Sequence, residues 1–320
     1  MIRVIKPEGF GNIQLEDAPI PEIDNRQVLV RTERTLISRG SELFRRYISE
    51  EALPHSIMGY SLTGTVEKVG ANVTEYQIGQ RVMAAAPHAQ YVVGDADSTR
   101  GHLVPLPDDV SFEAGTFLLL STEATAWAAS SGAQAGDTIV ILGQGVVGSL
   151  MLQILRGYDP ARIITVDGLS LRCQLSKELG ADVVINASEA DPIEEVQRLT
   201  DGKGADLVVD CVGGHAGVKS FDQAQDIVRR GGTLQLIALY QGEPLPLHSS
   251  KIMSKRLVAG ILVDEPLSQT AFRALEKIRT GKIQTDRMIT HRFPYKQAKE
   301  AFDFLWNTPG EALAVLLVWR

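Results

Sequence analysis

Three glycines follow an apolar run of strand length near the middle of the chain. Residues 138–142 read TIVIL, and Gly143, Gly145 and Gly148 come directly after them, ahead of a segment with the spacing of an amphipathic helix. A tight strand-to-helix turn leaves no room for side chains where the backbone approaches a pyrophosphate, whose charge then rests on the helix N-terminus. A second apolar strand ends in Asp167, about 20 residues past the last glycine, where a carboxylate would bind a ribose diol. Together these residues predict a dinucleotide site.

The charge of Asp167 favours NAD over NADP. The additional 2′-phosphate of NADP would face this carboxylate, and two like charges about 4 Å apart repel by roughly 4 kcal/mol at an effective dielectric constant of about 20. Arg172 lies one helical turn into the next predicted helix. It leaves NADP open as the less favoured cofactor, because a guanidinium group can accept that phosphate.

Length and composition bound the class of protein. A chain of 320 residues exceeds the size at which one core usually stops growing, so two domains are expected. A net charge of −7, without a run rich in Lys and Arg, argues against nucleic-acid and membrane partners and favours a small-molecule substrate. With no apolar stretch long enough for a membrane span or a signal peptide, the expected location is the cytoplasm. Cys173 and Cys211 are too few for a disulfide framework and are expected to be small buried residues.

Hydrophobic spacing changes along the chain. Short strands separated by Gly and Pro fill the region up to about residue 107 and favour a β-rich domain. Strands and helices then alternate, which implies right-handed crossovers and a parallel sheet. The last part is expected to return to the first domain. The predicted fold class is α/β, a β-rich catalytic domain with a doubly wound parallel Rossmann domain, and the predicted boundaries are 1–122, 123–262 and 263–320.

Several phrases resemble the medium-chain dehydrogenase/reductase superfamily. They are GQRV at 79–82, LPDDVSFE at 106–113, and GKI at 281–283 ahead of ITHRF at 289–293. The phrases ISRGSE at 37–42 and GY at 59–60 resemble a branch with bacteriochlorophyllide dehydrogenase-like members, often labelled zinc-binding alcohol dehydrogenases. The resemblance implies a GroES-like first domain and an NAD-dependent oxidoreductase. It also implies a homodimer in which strands near 233–239 and 256–262 extend the sheet across a two-fold axis.

The zinc label does not agree with the residues of this chain. At the positions that match the family's metal ligands stand Arg39, Tyr60 and Ser121. A catalytic zinc needs three ligands from Cys, His or carboxylate, and none of these residues is of that kind. Glu123 is nearby but cannot hold zinc alone. We therefore predict no metal site and no zinc, which places the chain in a zinc-independent branch.

Without zinc, side chains must remove the proton of an alcohol or stabilise charge on a carbonyl oxygen. The resemblance places four residues in the reaction chamber. Tyr60 offers a phenol whose ionised form a neighbouring cation would favour, and the imidazole of His88 exchanges protons near neutral pH. Ser41 offers a hydroxyl at the position of the family's proton relay, and Arg39 a permanent charge.

Each candidate also has a purely structural interpretation. Arg39 would pair with Glu42, and Tyr60 would pack with its hydroxyl satisfied. Ser41 would bond within a local turn. His88 would lie in a solvated loop. These alternatives stay open at the level of sequence, and Tyr60 and His88 are the leading pair.

The resemblance adds further cofactor contacts beside the glycine turn. Each of these residues has core packing as its alternative. They are Val146 in the turn, Thr125 and Val147 against the nicotinamide, Cys211 and Val212 near the adenine, and the backbone of Ile237, Ala238 and Leu239 near the carboxamide.

Three functions are compatible with these patterns. The first is a zinc-independent dehydrogenase that transfers a hydride between NAD(H) and a secondary alcohol or ketone, with polyols or sugars as possible substrates. The second is an NADPH-dependent reductase of quinones or enones. The third is a nucleotide-binding sensor or structural subunit without turnover. Substrate walls are expected in the loops 44–57 and 240–255, whose conformation the sequence does not predict.

Overall fold

A computed structural model describes residues 1–239 and 242–320, which divide into two units. The first unit contains Met1–Thr122, Glu265–Gly281 and Ile289–Arg320, and the second contains Glu123–Asp264 and Lys282–Met288. Residues 263–264 and 282–288, which the sequence analysis assigned to the segment returning to the first domain, lie in the second unit in this division. The buried side chain of Gln153 explains the difference, because it accepts from the Gln284 N–H at 2.6 Å and donates to the Met288 sulfur at 3.5 Å.

The first unit begins with strands and short helices. In chain order these are β1 (Ile2–Ile5), β2 (Gln14–Asp17), β3 (Gln27–Ile37), a π-helix (Arg39–Tyr47), a 3₁₀ turn (His55–Ile57), β4 (Leu62–Val69), β5 (Arg81–Ala84), β6 (Tyr91–Asp95), β7 (Leu103–Pro105), α1 (Phe112–Gly115) and α2 (Leu118–Ser130), whose last residues belong to the second unit.

The second unit alternates strands and helices. In chain order these are β8 (Thr138–Leu142), α3 (Val146–Leu155), a 3₁₀ turn (Arg156–Tyr158), β9 (Arg162–Asp167), α4 (Ser170–Glu178), β10 (Val183–Asn186), α5 (Pro192–Leu199), β11 (Ala205–Asp210), α6 (Gly217–Ile227), β12 (Val228–Leu236), α7 (Ser249–Ile252) and β13 (Arg256–Ala259).

The last part of the chain supplies elements to both units. They are α8 (Leu267–Arg279), a 3₁₀ turn of the second unit (Thr285–Met288), β14 (Ile289–Pro294), a 3₁₀ turn (Tyr295–Gln297), α9 (Ala298–Asn307) and β15 (Ala314–Val318).

The main sheet of the first unit is largely antiparallel. Its strand order is β14-β15-β3-β4-β5-β7, with β6 also paired to β3, and only β14 and β15 run parallel among these pairs. Alternate apolar residues such as Val28, Val30 and Val66 fill its core. A second cluster joins the π-helix to α9 through Leu43, Tyr47 and other buried side chains.

The sheet of the second unit is parallel throughout. Its strand order among the described residues is β10-β9-β8-β11-β12-β13, the doubly wound order of a Rossmann domain. The carboxyl ends of β8, β9, β11 and β12 meet at one edge. The predicted fold class is confirmed. Within the described residues, no helix is both long enough and apolar enough to cross a bilayer.

Candidate active site

The π-helix carries two of the predicted catalytic residues, Arg39 and Ser41. Ser38 precedes it in extended conformation, with φ −87° and ψ 115°. The Ser38 N–H donates to Oε2 of Glu42 at 2.8 Å, and the Ser41 hydroxyl donates to the Ser38 hydroxyl oxygen at 3.1 Å. Ser41 thus makes a hydrogen bond within a local turn, as in its structural interpretation. Both serines are half-buried.

A buried ammonium group supports the end of this helix. Lys6 is 1% exposed. Its Nζ atom donates to the carbonyl oxygens of Pro7, Gly9 and Ser49 at 2.9, 2.7 and 2.8 Å, which uses all three of its protons. Burial lowers the pKa of Lys6. Two loops of the first unit are held together by one side chain at this point.

Glu42 and His88 form a buried pair. Both are 0% exposed, and His88 Nε2 lies 2.9 Å from Glu42 Oε1. The imidazole ring also meets the edge of Phe302, with centroids 6.1 Å apart. The alternative of a solvated loop is wrong, because His88 has no accessible surface. Proton exchange between His88 and a substrate stays a prediction, and the imidazole presents no surface for direct contact in this structure.

Gly59 brings Tyr60 up to this pair. Gly59 has φ +95°, and a Cβ there would lie 2.7 Å from both Cγ and the backbone N of His88, so only glycine fits. Tyr60 follows directly and is half-buried. The Arg46 guanidinium lies over its ring, 5.7 Å from the centroid. The sequence analysis considered a cation next to Tyr60, and Arg46 of the π-helix is such a cation.

Arg39 points from the π-helix toward α9. Its Nη1 donates to the Leu305 carbonyl at 2.7 Å, and its guanidinium lies over the Phe44 ring, 5.7 Å from the centroid. Glu42, the predicted partner of Arg39, is instead bonded to His88 and to the Ser38 N–H. Arg39 therefore adds a fixed positive charge to an aromatic part of the first unit.

Ser121 and Glu123 lie near each other in sequence on α2. Ser121 is buried, and its hydroxyl has no hydrogen-bond partner in the part of the chain that the structure describes. Burial raises the pKa of Glu123 to about 7. Residues 1–239 and 242–320 contain no group of three or more His, Cys, Asp or Glu side chains that could hold a metal ion.

In the second unit, the glycine turn leaves space for a ligand. Gly143 has φ +84°, and a Cβ on Gly148 would lie 1.8 Å from the Gly143 carbonyl oxygen, so both positions need glycine. A Cβ on Gly145 would meet no described atom within 4 Å, which leaves the backbone there open to approach. Gly145 caps α3 without a side-chain bond, so the first N–H groups of α3 face this opening. These residues fit a pyrophosphate.

Asp167 ends β9 beside this turn. Its Oδ2 accepts from the Gln144 N–H at 2.7 Å, and its Oδ1 accepts from the Leu169 N–H at 2.9 Å. Arg172 Nη1 lies 3.7 Å from Asp167 Oδ2. The buried Nε and Nη2 atoms of Arg172 have no hydrogen-bond partner among the described residues. The carboxylate of Asp167 is therefore held in place, and two nitrogen atoms of the Arg172 guanidinium have N–H groups available for a ligand.

Thr125, Val146 and Val147 lie in the two helices that flank β8 along the chain. The Thr125 hydroxyl is buried and, among residues 1–239 and 242–320, has no partner. Val146 and Val147 are half-buried at the start of α3. Their contacts with a nicotinamide stay predictions.

A buried acid that the sequence analysis did not single out joins the remaining cofactor segments. Asp210 is fully buried at the end of β11, and its Oδ1 accepts from the Val212 N–H at 3.2 Å. Its carbonyl accepts the N–H groups of Ile237 and Ala238, both at 3.0 Å. Burial raises the pKa of Asp210 to about 7. The signal that could have found it is its place at the end of a buried strand, as for the acid of β9.

The two cysteines are less buried than the sequence analysis expected. Cys173 and Cys211 are both half-buried. Ile237 and Ala238 are buried while Leu239 is 60% exposed, so the predicted segment emerges from the sheet at its last residue. Residues 240 and 241 of the predicted substrate loop lie outside the described residues.

Comparison with known proteins agrees with this two-unit organisation. A family described as alcohol dehydrogenase GroES-like domain matches residues 24–116, and one described as zinc-binding dehydrogenase matches residues 146–278. The chain is an alcohol dehydrogenase-like oxidoreductase. Together the two family matches support the resemblance to the medium-chain dehydrogenase/reductase superfamily.

Individual relatives match nearly the whole chain at low identity. An alcohol dehydrogenase of Cupriavidus necator is 24% identical, with 96% of each chain covered, and a sorbitol dehydrogenase of Bacillus subtilis is 24% identical, with 95% of this chain and 94% of the relative covered. The structure of alcohol dehydrogenase TADH from Thermus sp. ATN1 matches with a TM-score of 0.85 and 23% identity over 100% of both chains. At this identity the structural match shows a shared fold.

Proposed function

We propose that this protein is a zinc-independent dehydrogenase that transfers a hydride between NAD(H) and a secondary alcohol or its ketone. One observation carries the proposal. The chain keeps an open glycine turn with an acid, Asp167, whose carboxylate is held by backbone N–H groups beside it. The resemblance in sequence adds that Arg39, Tyr60 and Ser121 match the family's metal-ligand positions. The relatives named for alcohols and for sorbitol support an alcohol or polyol as substrate.

The second unit would hold the cofactor. The first N–H groups of α3 would bind the pyrophosphate, and Asp167 would accept from the ribose hydroxyls. The bound nicotinamide supplies the acceptor or donor of the hydride. Thr125 and Val147 would line its ring, and the backbone of 237–239 its carboxamide.

The first unit would handle the proton and the developing charge. The phenol of Tyr60 and the hydroxyl of Ser41 would each hydrogen-bond to the substrate oxygen. Arg46 lies over the Tyr60 ring, 5.7 Å from its centroid, and this cation–π contact would hold the ring in place. The fixed charge of Arg39 would stabilise negative charge on the substrate oxygen.

A substrate screen tests the proposal. Secondary alcohols, polyols, ketones, enones and quinones are each incubated with NAD(H) and NADP(H), and the absorbance of the reduced cofactor is followed. Turnover of an alcohol with NAD is expected, with a large loss in Tyr60→Phe and Ser41→Ala. No turnover of any substrate, with cofactor still bound, would instead favour the sensor or structural subunit.

Zinc independence has its own measurement. Elemental analysis of protein prepared without added metal is expected to find no stoichiometric zinc, and chelator treatment is expected to leave turnover unchanged. One tightly held zinc per chain would overturn this part of the proposal and leave the dehydrogenase assignment standing.

One observation favours the second candidate, an NADPH-dependent reductase of quinones or enones. The N–H groups of Arg172 that have no hydrogen-bond partner among the described residues are suited to bind a 2′-phosphate. The charge of Asp167 opposes it, so NAD remains the proposed cofactor. Fluorescence titration is expected to give tighter binding of NAD than of NADP, and Asp167→Asn is expected to narrow the difference; tighter NADP binding by the wild type would favour the reductase.

We also propose a cytoplasmic homodimer formed through β13. This strand is the last of the described sheet, and Leu257 on it is 42% exposed, with Met253 67% and Leu262 64% exposed close by in sequence. An exposed apolar edge strand is usually covered. Light scattering is expected to give a dimer for the wild type and a monomer for Leu257→Lys, while a wild-type monomer would contradict the proposal.

A further inference from the structure

The hydroxyl of Ser38 is diverted from its usual structural task. A serine immediately before a helix normally accepts an N–H from the first turn. Ser38 stands there with extended backbone, yet its side chain makes no such bond among the described residues. It accepts the Ser41 hydroxyl instead, at 3.1 Å. The cap is given up in favour of a contact between two hydroxyls.

Glu42 fixes the position of Ser38 but is itself closed off from solvent. Its Oε2 accepts the Ser38 N–H and its Oε1 meets His88 Nε2, and the carboxylate has no accessible surface. The backbone of Ser38 is therefore fixed relative to the π-helix. The residue keeps part of its surface exposed to water.

A hydroxyl can accept one proton while it gives up its own. If Ser41 takes the proton of a substrate alcohol, it must pass its own proton on. The group that Ser41 already donates to is Ser38, which in turn reaches solvent. The geometry thus supplies an acceptor and an exit.

We propose that Ser38 is the second hydroxyl of a proton path that leads from the substrate through Ser41 to water. This inference rests on the proposed dehydrogenase function. As the substrate C–H hydride passes to the oxidised nicotinamide dinucleotide, the substrate O–H proton moves to Ser41 Oγ. The Ser41 proton moves to Ser38 Oγ, and the Ser38 proton moves to a water molecule. The products are the ketone, the reduced dinucleotide and one hydrated proton. Ser38 is a positioning residue that acts through Ser41.

The test uses two variants that lack the hydroxyl and one that keeps it. Ser38→Ala removes the hydroxyl, and Ser38→Gly removes it while preserving a residue accepted at helix starts. Ser38→Thr retains it. Ser98→Ala is the matched control, because Ser98 is a half-buried serine of the first unit that lies outside the loops expected to line the substrate. Proton release is followed by stopped flow with an indicator dye, using NAD and a secondary alcohol that the wild type oxidises.

Proton release and kcat are expected to fall about 10²-fold in Ser38→Ala and Ser38→Gly, as for the loss of one proton-transfer group. Ser38→Thr and Ser98→Ala are expected to stay near the wild type. NAD affinity by fluorescence should be unchanged in all four. Added imidazole should restore proton release in Ser38→Gly without accelerating the wild type, which a merely structural role would not explain. Ser41→Ala combined with Ser38→Ala should be no slower than Ser41→Ala alone.

The outcomes separate this inference from the function on which it rests. A wild type that oxidises no alcohol overturns both. An active wild type with unchanged proton release in Ser38→Gly overturns the path alone. Additive losses in the double variant would also overturn it, because they would assign Ser38 and Ser41 to independent tasks.

Discussion

Oε1 of Glu42 lies 2.9 Å from Nε2 of His88, and neither side chain reaches solvent. The two residues are 46 positions apart, and the contact joins the π-helix to the segment that follows β5. His88 N also donates to the Met58 carbonyl at 2.7 Å. The pair thus fixes the π-helix relative to the backbone that carries Tyr60.

Breaking this pair should destabilise the protein strongly. We expect Glu42→Ala to lower the free energy of unfolding by about 3–5 kcal/mol, because it leaves a buried imidazole without its partner. The exposed Glu22→Ala should change it by less than about 0.5 kcal/mol. Urea unfolding measures both. A double variant, Glu42→Leu with His88→Phe, should lose less than the two single changes together, and strict additivity would contradict a direct interaction.

Gly59 and Gly79 offer a matched pair of glycine substitutions. Both have positive φ, +95° and +86°, but only at Gly59 would a Cβ collide with His88, since Gly79 has no described atom within 4 Å of that position. Gly79→Ala should cost about 1–3 kcal/mol for backbone strain alone. Gly59→Ala should cost several kcal/mol more because of overpacking, and should reduce turnover through Tyr60. Equal thermal stabilities of the two variants would show that His88 can move away from the added Cβ at little energetic cost.

Two glycine substitutions in the turn of the second unit should have different effects, one on folding and the other on cofactor binding. Gly148→Ala puts a Cβ 1.8 Å from the Gly143 carbonyl oxygen and should destabilise the second unit. Gly145→Ala adds a methyl where no described atom is near, so unfolding should change little. The same methyl would occupy the space of a pyrophosphate, so NAD affinity by fluorescence should fall about tenfold or more. Unchanged affinity in a folded Gly145→Ala would show that the dinucleotide lies elsewhere.

The buried acid Asp210 should give stability a recognisable dependence on pH. Burial raises its pKa from 3.8 to about 7 in the folded chain. Between these values the folded state holds a proton that the unfolded state has lost, so this group's contribution falls as pH rises from about 4 to about 7 and stays low above that. The difference reaches at most about 4 kcal/mol. Asp210→Asn should lack this decline when urea unfolding is repeated across the range; an identical pH profile in the variant would assign the decline to other groups.

The parallel sheet was predictable because its signals are local. An apolar strand, a glycine turn and an acid at the next strand end lie within about 30 residues, the length of one βαβ unit. The predicted strand at 138–142 coincides with β8, and the helix predicted behind the glycines is α3. Each of these features is determined by neighbours in sequence.

The arrangement around Glu42 was not predictable in the same way. The burial of His88 depends on Glu42 and Phe302, which are far away in the chain, and no periodicity marks it. The same applies to Gln153, whose contacts draw residues 284–288 into the second unit. The diverted hydroxyl of Ser38 looks like an ordinary helix cap in the sequence. Long-range packing decided the first two, whereas the contact of Ser38 with Ser41 is local but replaces the bond that the residue type predicts.

The ammonium of Lys6 gives the segment before β2 a part in chemistry that it never touches. By clamping three carbonyl oxygens it ties residues 6–9 to the loop that follows the π-helix. A Lys6→Met substitution would remove these bonds and loosen the backbone that supports the π-helix of Ser41, while β1 and every other strand stay in the chain. An enzyme preparation altered there can therefore look well folded by circular dichroism and still be catalytically poor.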